Sequence, residues 1–508
     1  MRLETLILAI GMLAVTTAFP GDRRARRPRW GNMTTDQVAE FKKSLRRTNV
    51  DRFHSALERL RESARGSQSD SEIKKYNERI KKIGQRTLSE SARKLEKDLV
   101  EVNADLGVAE NLYGGDMVLT DSLTVDARWF PEAIRGKRQA VKGSKLWANN
   151  TVYYQFDSSL PADAQTGARL AIAFWGNMTC VDFVESATAK NRIRFYEGSG
   201  CWSGLGMVGG VQDLSLGYGC HSFRTAAHEI GHALGFQHTH SREDRDTAIS
   251  VLPANIDNGW APSFEKAAAG TIYNYGMPYD YGSVMHYGPY DVSWNKQPTM
   301  VAKVAPYQEN MGSAVVSFYD VSMMNEHYSC KAKCTCGATC CNGGFRNSRN
   351  CNTCICPYGW AGPTCNQRSP GCGADLTATA TTQEQVMSVG KADWVLMPSF
   401  ATCVYHIKAP AGMKVELTMN NLVNVQCING CYFTGIEVKA TKDHRYTGIR
   451  SCCGEDNGKT IVSEGNIVPV IIFSRLGTFG VTLRYKAVSA ATASTVVASQ
   501  IADSRPTY

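Results

Sequence analysis

The first 179 residues of this 508-residue chain contain no cysteine, although the whole chain has 18. That absence excludes a disulfide framework from the leading third. All the cysteines fall in the remainder, where an even, crowded set suits pairing in an oxidising compartment. After the N-terminus there is no apolar run of about 18 residues, so no transmembrane span is expected. A broad basic surface is missing too. Residues 19–138 hold 26 Lys and Arg against 19 Asp and Glu, which accounts for +7 of the net +9. Residues 1–18 are neutral, so the remaining 370 carry only +2. A polyanion-binding protein should be basic over its folded domains, and no nucleic-acid partner is expected here. Charged residues are 20% and hydrophobic ones 43%, which excludes wholesale disorder, and the length suits three or four domains.

Residues 1–18 read as a signal peptide: Arg2, an apolar run Leu6–Val15, and small residues to Ala18. A secreted, extracellular product follows. Residues 19–138 read as a prosegment of charged helices, with apolar residues such as Val38, Phe41 and Leu45 at helical spacing. It closes on Arg135-Gly136-Lys137-Arg138, a multibasic run suited to a processing protease, which would leave Gln139 as the new N-terminus. The cysteines then form three even sets, in residues 139–330, 334–365 and 372–453, each able to pair within itself. Residues 488–508 are rich in Ala, Ser and Thr and are expected to be a disordered tail. Asn32, Asn149 and Asn177 head glycosylation sequons.

The chemistry is concentrated in residues 228–238, HEIGHALGFQH. His228 and His232, four apart, share one face of a helix and can hold one metal. Glu229 borders the same site. Gly235 can take a positive φ, end the helix and bring His238 round as a third ligand. Three neutral imidazoles leave one position open, as a catalytic zinc site requires. With His at 10 of 508 residues, a chance match of all five motif positions is on the order of 10⁻⁵ from composition.

The run HExxHxxGxxH is the metzincin signature. Extended through Asp246, HEIGHALGFQHTHSREDRD, it resembles the astacin family, and Ser283-Val284-Met285-His286-Tyr287 is similar to that family's Met-turn. The resemblance covers most of residues 139–330. It implies an α+β metzincin peptidase domain at 139–331 and one Zn2+ per chain, held by His228, His232 and His238. It implies Glu229 as general base and then acid, Met285 as an apolar floor, and Tyr287 as a resting zinc ligand that moves to stabilise the oxyanion. It implies the bridges Cys180–Cys330 and Cys201–Cys220. Tyr113-Gly114-Gly115-Asp116 resembles the family's prosegment switch, in which Asp116 would block the zinc until processing. Thr239 stands where the family pattern has Glu, and Thr cannot form the ion pair that Glu makes with a mature N-terminus.

Residues 332–368 resemble a disulfide-rich EGF-like module, with eight cysteines instead of six and a zinc knuckle as the alternative for its close CxxC pairs. Residues 372–487 resemble an all-β CUB sandwich, with Cys372–Cys403 as its first bridge. The chain is thus expected to be a secreted, latent zinc endopeptidase of the nematode type, acting on extracellular proteins. Its EGF-like and CUB modules are expected to bind matrix or protein partners and to govern targeting more than chemistry. A non-catalytic adhesion protein is the competing class. The presence of Glu229 with all three histidines argues against it.

Overall fold

This structure, a computed structural model, describes residues 96–118, 140–141, 144–267 and 270–495. The expected signal peptide, the expected helices before residue 96, Asn32 and the expected processing run Arg135, Lys137, Arg138 lie outside the described residues.

The described chain enters as helix α1 (Leu99–Leu106), capped by the Asp98 carboxylate, which accepts from Val100 N. Leu99, Val100 and Val102 are buried, so this charged segment uses its few apolar residues to dock. Strand β1 (Met117–Val118) follows. In the next body, strands β2 (Thr151–Phe156), β3 (Asp182–Glu185), β4 (Arg192–Tyr196), β5 (Cys201–Gly204) and β6 (Val211–Leu216) form one twisted sheet. With β1 the spatial order is β1-β5-β6-β4-β2-β3, and only the β5–β6 pairing is antiparallel. Strand β1 therefore completes the sheet edge, with Met117 opposite Ser203 and Val118 opposite Gly204.

Helix α2 (Ala162–Met178) and helix α3 (Phe223–Ala233) pack beside that sheet. Small residues on the inner face of α2, Ala164, Ala168 and Ala171, let the helices approach, and Trp175 Nε1 donates to Ala227 O of α3 at 3.1 Å. Helix α4 (Phe318–His327) begins with a reciprocal capping box between Ser317 and Asp320. Cys180–Cys330 closes a span of 150 residues, worth up to about 5 kcal/mol in the chain-entropy account. Cys201–Cys220 ties β5 to the loop before α3.

The middle region is small hairpins held by Cys334–Cys351, Cys340–Cys354 and Cys356–Cys365. Cys336 and Cys341 carry no bridge and are exposed. The even set of eight thus gives three bridges. The loops place these two thiols outside any pair, which count alone cannot reveal. Two sheets follow. One has five strands (Asp375–Thr377, Ala401–Lys408, Ile467–Ser474, Thr434–Val438, Ile449–Ser451) and the other four (Gln383–Gly390, Thr478–Val488, Lys414–Val423, Thr460–Val462). Cys372–Cys403, Cys427–Cys453 and Cys431–Cys452 secure this sandwich. The tail is not disordered at once: Thr495 N donates to Val462 O at 3.1 Å, and Val462 N donates to Thr495 Oγ1 at 2.8 Å.

The sandwich is also not a loosely tethered module. Asn310 Nδ2 donates to Gly448 O at 2.7 Å, and Arg450 N donates to Asn310 Oδ1 at 3.1 Å. Arg450 Nη1 donates to Ser313 Oγ at 2.8 Å, and Thr447 Oγ1 to Asp280 Oδ2 at 3.1 Å. Tyr319 OH donates to Asp443 Oδ2 at 2.9 Å. A Cβ on Gly430 would lie 2.1 Å from Gly312 O, so the two backbones meet directly. The sandwich thus packs on the Met-turn side of the first body, beside Asp280 and Gly288.

A candidate zinc site closed by Asp116

Ser222 caps α3 by accepting from Thr225 N at 3.3 Å. The helix carries His228 and His232 on one face and stops at Leu234. Gly235 follows with φ +108°, where a Cβ would meet His327 Nε2 and Ser144 Oγ at 2.9 Å. That turn delivers His238. The three Nε2 atoms converge, with His228 to His232 at 3.0 Å and His228 to His238 at 3.3 Å. Their orientation is fixed from behind. His228 Nδ1 lies 2.8 Å from Val284 O and His232 Nδ1 2.6 Å from Phe236 O. Since only N–H can serve a carbonyl, those rings keep their Nε2 lone pairs facing inward.

Asp116 occupies the remaining direction. Its Oδ2 lies 2.9 Å from His238 Nε2 and 3.2 Å from His228 Nε2, and its Oδ1 lies 3.5 Å from His232 Nε2. Gly114 (φ +58°) and Gly115 (φ +82°) make the turn that presents it, closed by Tyr113 N donating to Met117 O at 2.9 Å. Side chains would not fit there. A Cβ on Gly114 would lie 3.1 Å from His238 Nδ1, and one on Gly115 would lie 2.5 Å from Trp260 and 2.9 Å from the Tyr287 hydroxyl. Tyr287 donates that hydroxyl to Gly114 O. Met285 lies beneath, against Gly231, whose Cβ would meet Met285 Sδ at 2.8 Å.

Three imidazole nitrogens and a carboxylate, all buried with ligand atoms within 4.8 Å of one another, form a donor set suited to a divalent cation. Asp116 Oδ1 and both Glu229 carboxylate oxygens are buried without a hydrogen-bond partner, which also fits a cation at the centre. Burial opposes the charge on Asp116, but the His238 and His232 rings outweigh it and hold its carboxyl well below the usual range. For Glu229, burial and then the Asp116 charge push the carboxyl well above its ordinary value.

Sequence reasoning missed several parts of this assembly. Asn103 of α1 clamps the Gly115 turn to β5: its Nδ2 donates to Gly115 O at 3.0 Å and Cys201 O at 2.6 Å, and Cys201 N donates to its Oδ1 at 2.7 Å. His240 packs on the Tyr287 ring with centroids 4.1 Å apart. Thr239 is buried and donates to Ser283 Oγ at 2.8 Å, and Ser283 donates to Asp320 at 2.6 Å. The position where the family pattern has Glu is here a hydroxyl link into the Met-turn. Asn149 and Asn177, by contrast, are exposed.

The astacin family model (peptidase family M12A) matches residues 139–329, and the CUB domain model matches residues 372–478. Zinc metalloproteinase nas-31 of Caenorhabditis elegans is 43% identical over 473 residues, covering 89% of this chain and 77% of that protein. Zinc metalloproteinase nas-32 of the same organism is 37% identical over 423 residues, covering 79% of this chain and 64% of its own length. Among solved structures, high choriolytic enzyme 1, a hatching enzyme zinc-protease from Oryzias latipes, is 29% identical, covers 37% of this chain and 94% of its own, and gives a TM-score of 0.34. The chain belongs to the astacin family and is a zinc metalloendopeptidase using one zinc ion.

Proposed function

We propose that this peptidase is secreted as a latent precursor and, once processed after Arg138, hydrolyses peptide bonds in extracellular proteins. The observation that carries the reading is the Asp116 carboxylate seated between three histidine nitrogens on a turn of two positive-φ glycines. In this reading His228, His232 and His238 hold the zinc and Asp116 blocks it until the prosegment leaves. Residues 1–18 are the signal peptide, 19–138 the prosegment, 139–331 the peptidase, 332–368 an EGF-like module and 372–487 the CUB sandwich. Exposure of Asn149 and Asn177 is compatible with glycosylation there. Among the described residues no helix is long and apolar enough to cross a membrane.

Bound zinc supplies Lewis acidity, which brings a water's pKa down towards about 7 and polarises a carbonyl. The rest falls to the chain's own groups. Departure of Asp116 removes the negative charge that disfavours ionised Glu229, leaving that carboxylate able to accept the water's proton. Glu229 then returns the proton to the leaving nitrogen. The Tyr287 hydroxyl, released from Gly114 O, is free to donate to the oxyanion. The vacated edge of β5 offers backbone groups to an extended peptide.

Three results test this. The secreted product should begin at Gln139, and a chelator should abolish its activity on a denatured protein until zinc is restored. Replacing Arg135, Lys137 and Arg138 by Ala should leave a full-length, inactive chain. In that uncleavable chain, Asp116→Ala should raise activity at least about tenfold, the value of roughly 1.4 kcal/mol of lost blockade. Full activity of the uncleaved chain with Asp116 intact would end the latency reading.

A further inference from the structure

Tyr287 rests its hydroxyl on Gly114 O, a partner that leaves with the prosegment in the reading above. What stays around the phenol is a set of rings. The Tyr287 centroid lies 4.1 Å from His240, 4.8 Å from His238 and 5.9 Å from Phe264. His240 is the closest of these and stands in the middle of the set. Its ring stacks on that of His238, with centroids 5.1 Å apart and 18° between the planes. It also lies 5.6 Å from Phe264 and 5.9 Å from His286. The donor cluster of Asp116, His228, His232 and His238 does not include it.

His240 is fully buried and firmly held. Its Nε2 lies 3.0 Å from Ser263 O, and a carbonyl takes only N–H, so this nitrogen carries a hydrogen. Its Nδ1 is buried with no hydrogen-bond partner. The backbone here is pinned as well. Arg245 Nη1 donates to His240 O at 2.9 Å, and Thr239 N donates to Met285 O at 2.9 Å. An imidazole with one unsatisfied nitrogen is a poor space-filler, because a buried polar atom without a partner is penalised. An aliphatic side chain would fill the same volume without that penalty, but it has no flat face to set against a phenol. The flat face of His240 meets two rings of the site, His238 and Tyr287.

We infer that His240 is the positioning residue of Tyr287: its buried ring is the platform on which the phenol rests once Gly114 has gone, keeping the hydroxyl within reach of the oxyanion. The inference rests on the oxyanion role proposed above for Tyr287 and deepens it. His240 touches neither substrate nor metal in this account and acts through Tyr287. A fixed platform limits where the phenol can turn, so less freedom is lost when the hydroxyl meets the developing charge.

The test uses the processed full chain loaded with zinc, in a cycle of His240→Ala, Tyr287→Phe and the two together. Tyr287→Phe should lower kcat about 10²-fold, the usual loss for one oxyanion donor. His240→Ala should lower kcat at least about tenfold, with KM within about twofold and zinc still one per chain. In the Tyr287→Phe background, His240→Ala should add less than about twofold, because no hydroxyl is left to position. Affinity for a phosphinic peptide, a tetrahedral analogue of the intermediate, should follow the same pattern by calorimetry, with no turnover involved. His240→Phe restores a flat ring but not the bond to Ser263 O, and should recover most of the loss. His240→Leu fills the volume without a flat face and should not; it replaces His240→Ala in the cycle if that variant fails to fold. Additive losses, an equal loss in His240→Phe and His240→Leu, or zinc lost from the His240 variants would overturn the platform. A Tyr287→Phe enzyme within about twofold of wild type would instead defeat the oxyanion reading of Tyr287, and the platform with it.

Discussion

Glu229→Gln is expected to lower kcat/KM on a peptide substrate at least about 10³-fold, roughly 4 kcal/mol of transition-state stabilisation. The substitution keeps the shape of a fully buried side chain beside His228 and removes the only property at issue, the ability to take a proton. Neither Glu229 oxygen has a hydrogen-bond partner, so the amide breaks no existing bond and the fold should hold. Zinc content, measured on the purified processed variant, should stay at one per chain. Turnover within tenfold of wild type at full zinc occupancy would remove Glu229 from the mechanism.

A chain ending just after Cys330 is expected to lose about 10–20 °C of melting temperature relative to the processed full chain. The estimate comes from the interface. Five of its hydrogen bonds, those of Asn310, Ser313, Asp280 and Tyr319 with the sandwich, contribute about 1 kcal/mol each. A body of this size shifts about 2–4 °C per kcal/mol. The lost contacts lie close to the site. Gly282, just before the Met-turn, is so near Thr447 that a Cβ would lie 2.4 Å from it, and Gly288 lies against Asn429. Activity on short peptides should therefore fall with stability. Calorimetry of the two forms, with kcat/KM on one short peptide, decides the matter. Melting within about 3 °C and kcat/KM within twofold would restore the picture of an independent tail.

The zinc helix was legible because its information is local. Residues four apart on a helix share a face whatever surrounds them, and Gly235 can end the helix because it alone tolerates φ +108° without strain. The same local logic made Gly114-Gly115-Asp116 readable as a turn that could enter a tight space. Resemblance extended this to the Cys180–Cys330 and Cys201–Cys220 pairings. The middle cysteines mark the limit: eight instead of the usual six put the pairing in doubt, but nothing in the count singled out Cys336 and Cys341, because pairing depends on where the loops place each sulfur.

The sequence by itself determined the chemistry: the metal ligands' spacing, a proton carrier beside them, and a carboxylate on a flexible turn upstream. Tertiary structure alone decided what holds that carboxylate in place and what the downstream sandwich touches. Asn103 meets Cys201 across 98 residues, and Glu96 meets Arg475 across 379. No periodicity encodes such pairs. They arise because β1 completes a sheet edge, α1 docks beside it, and the sandwich folds back onto the cap of the zinc helix, so that charges remote in sequence are buried together.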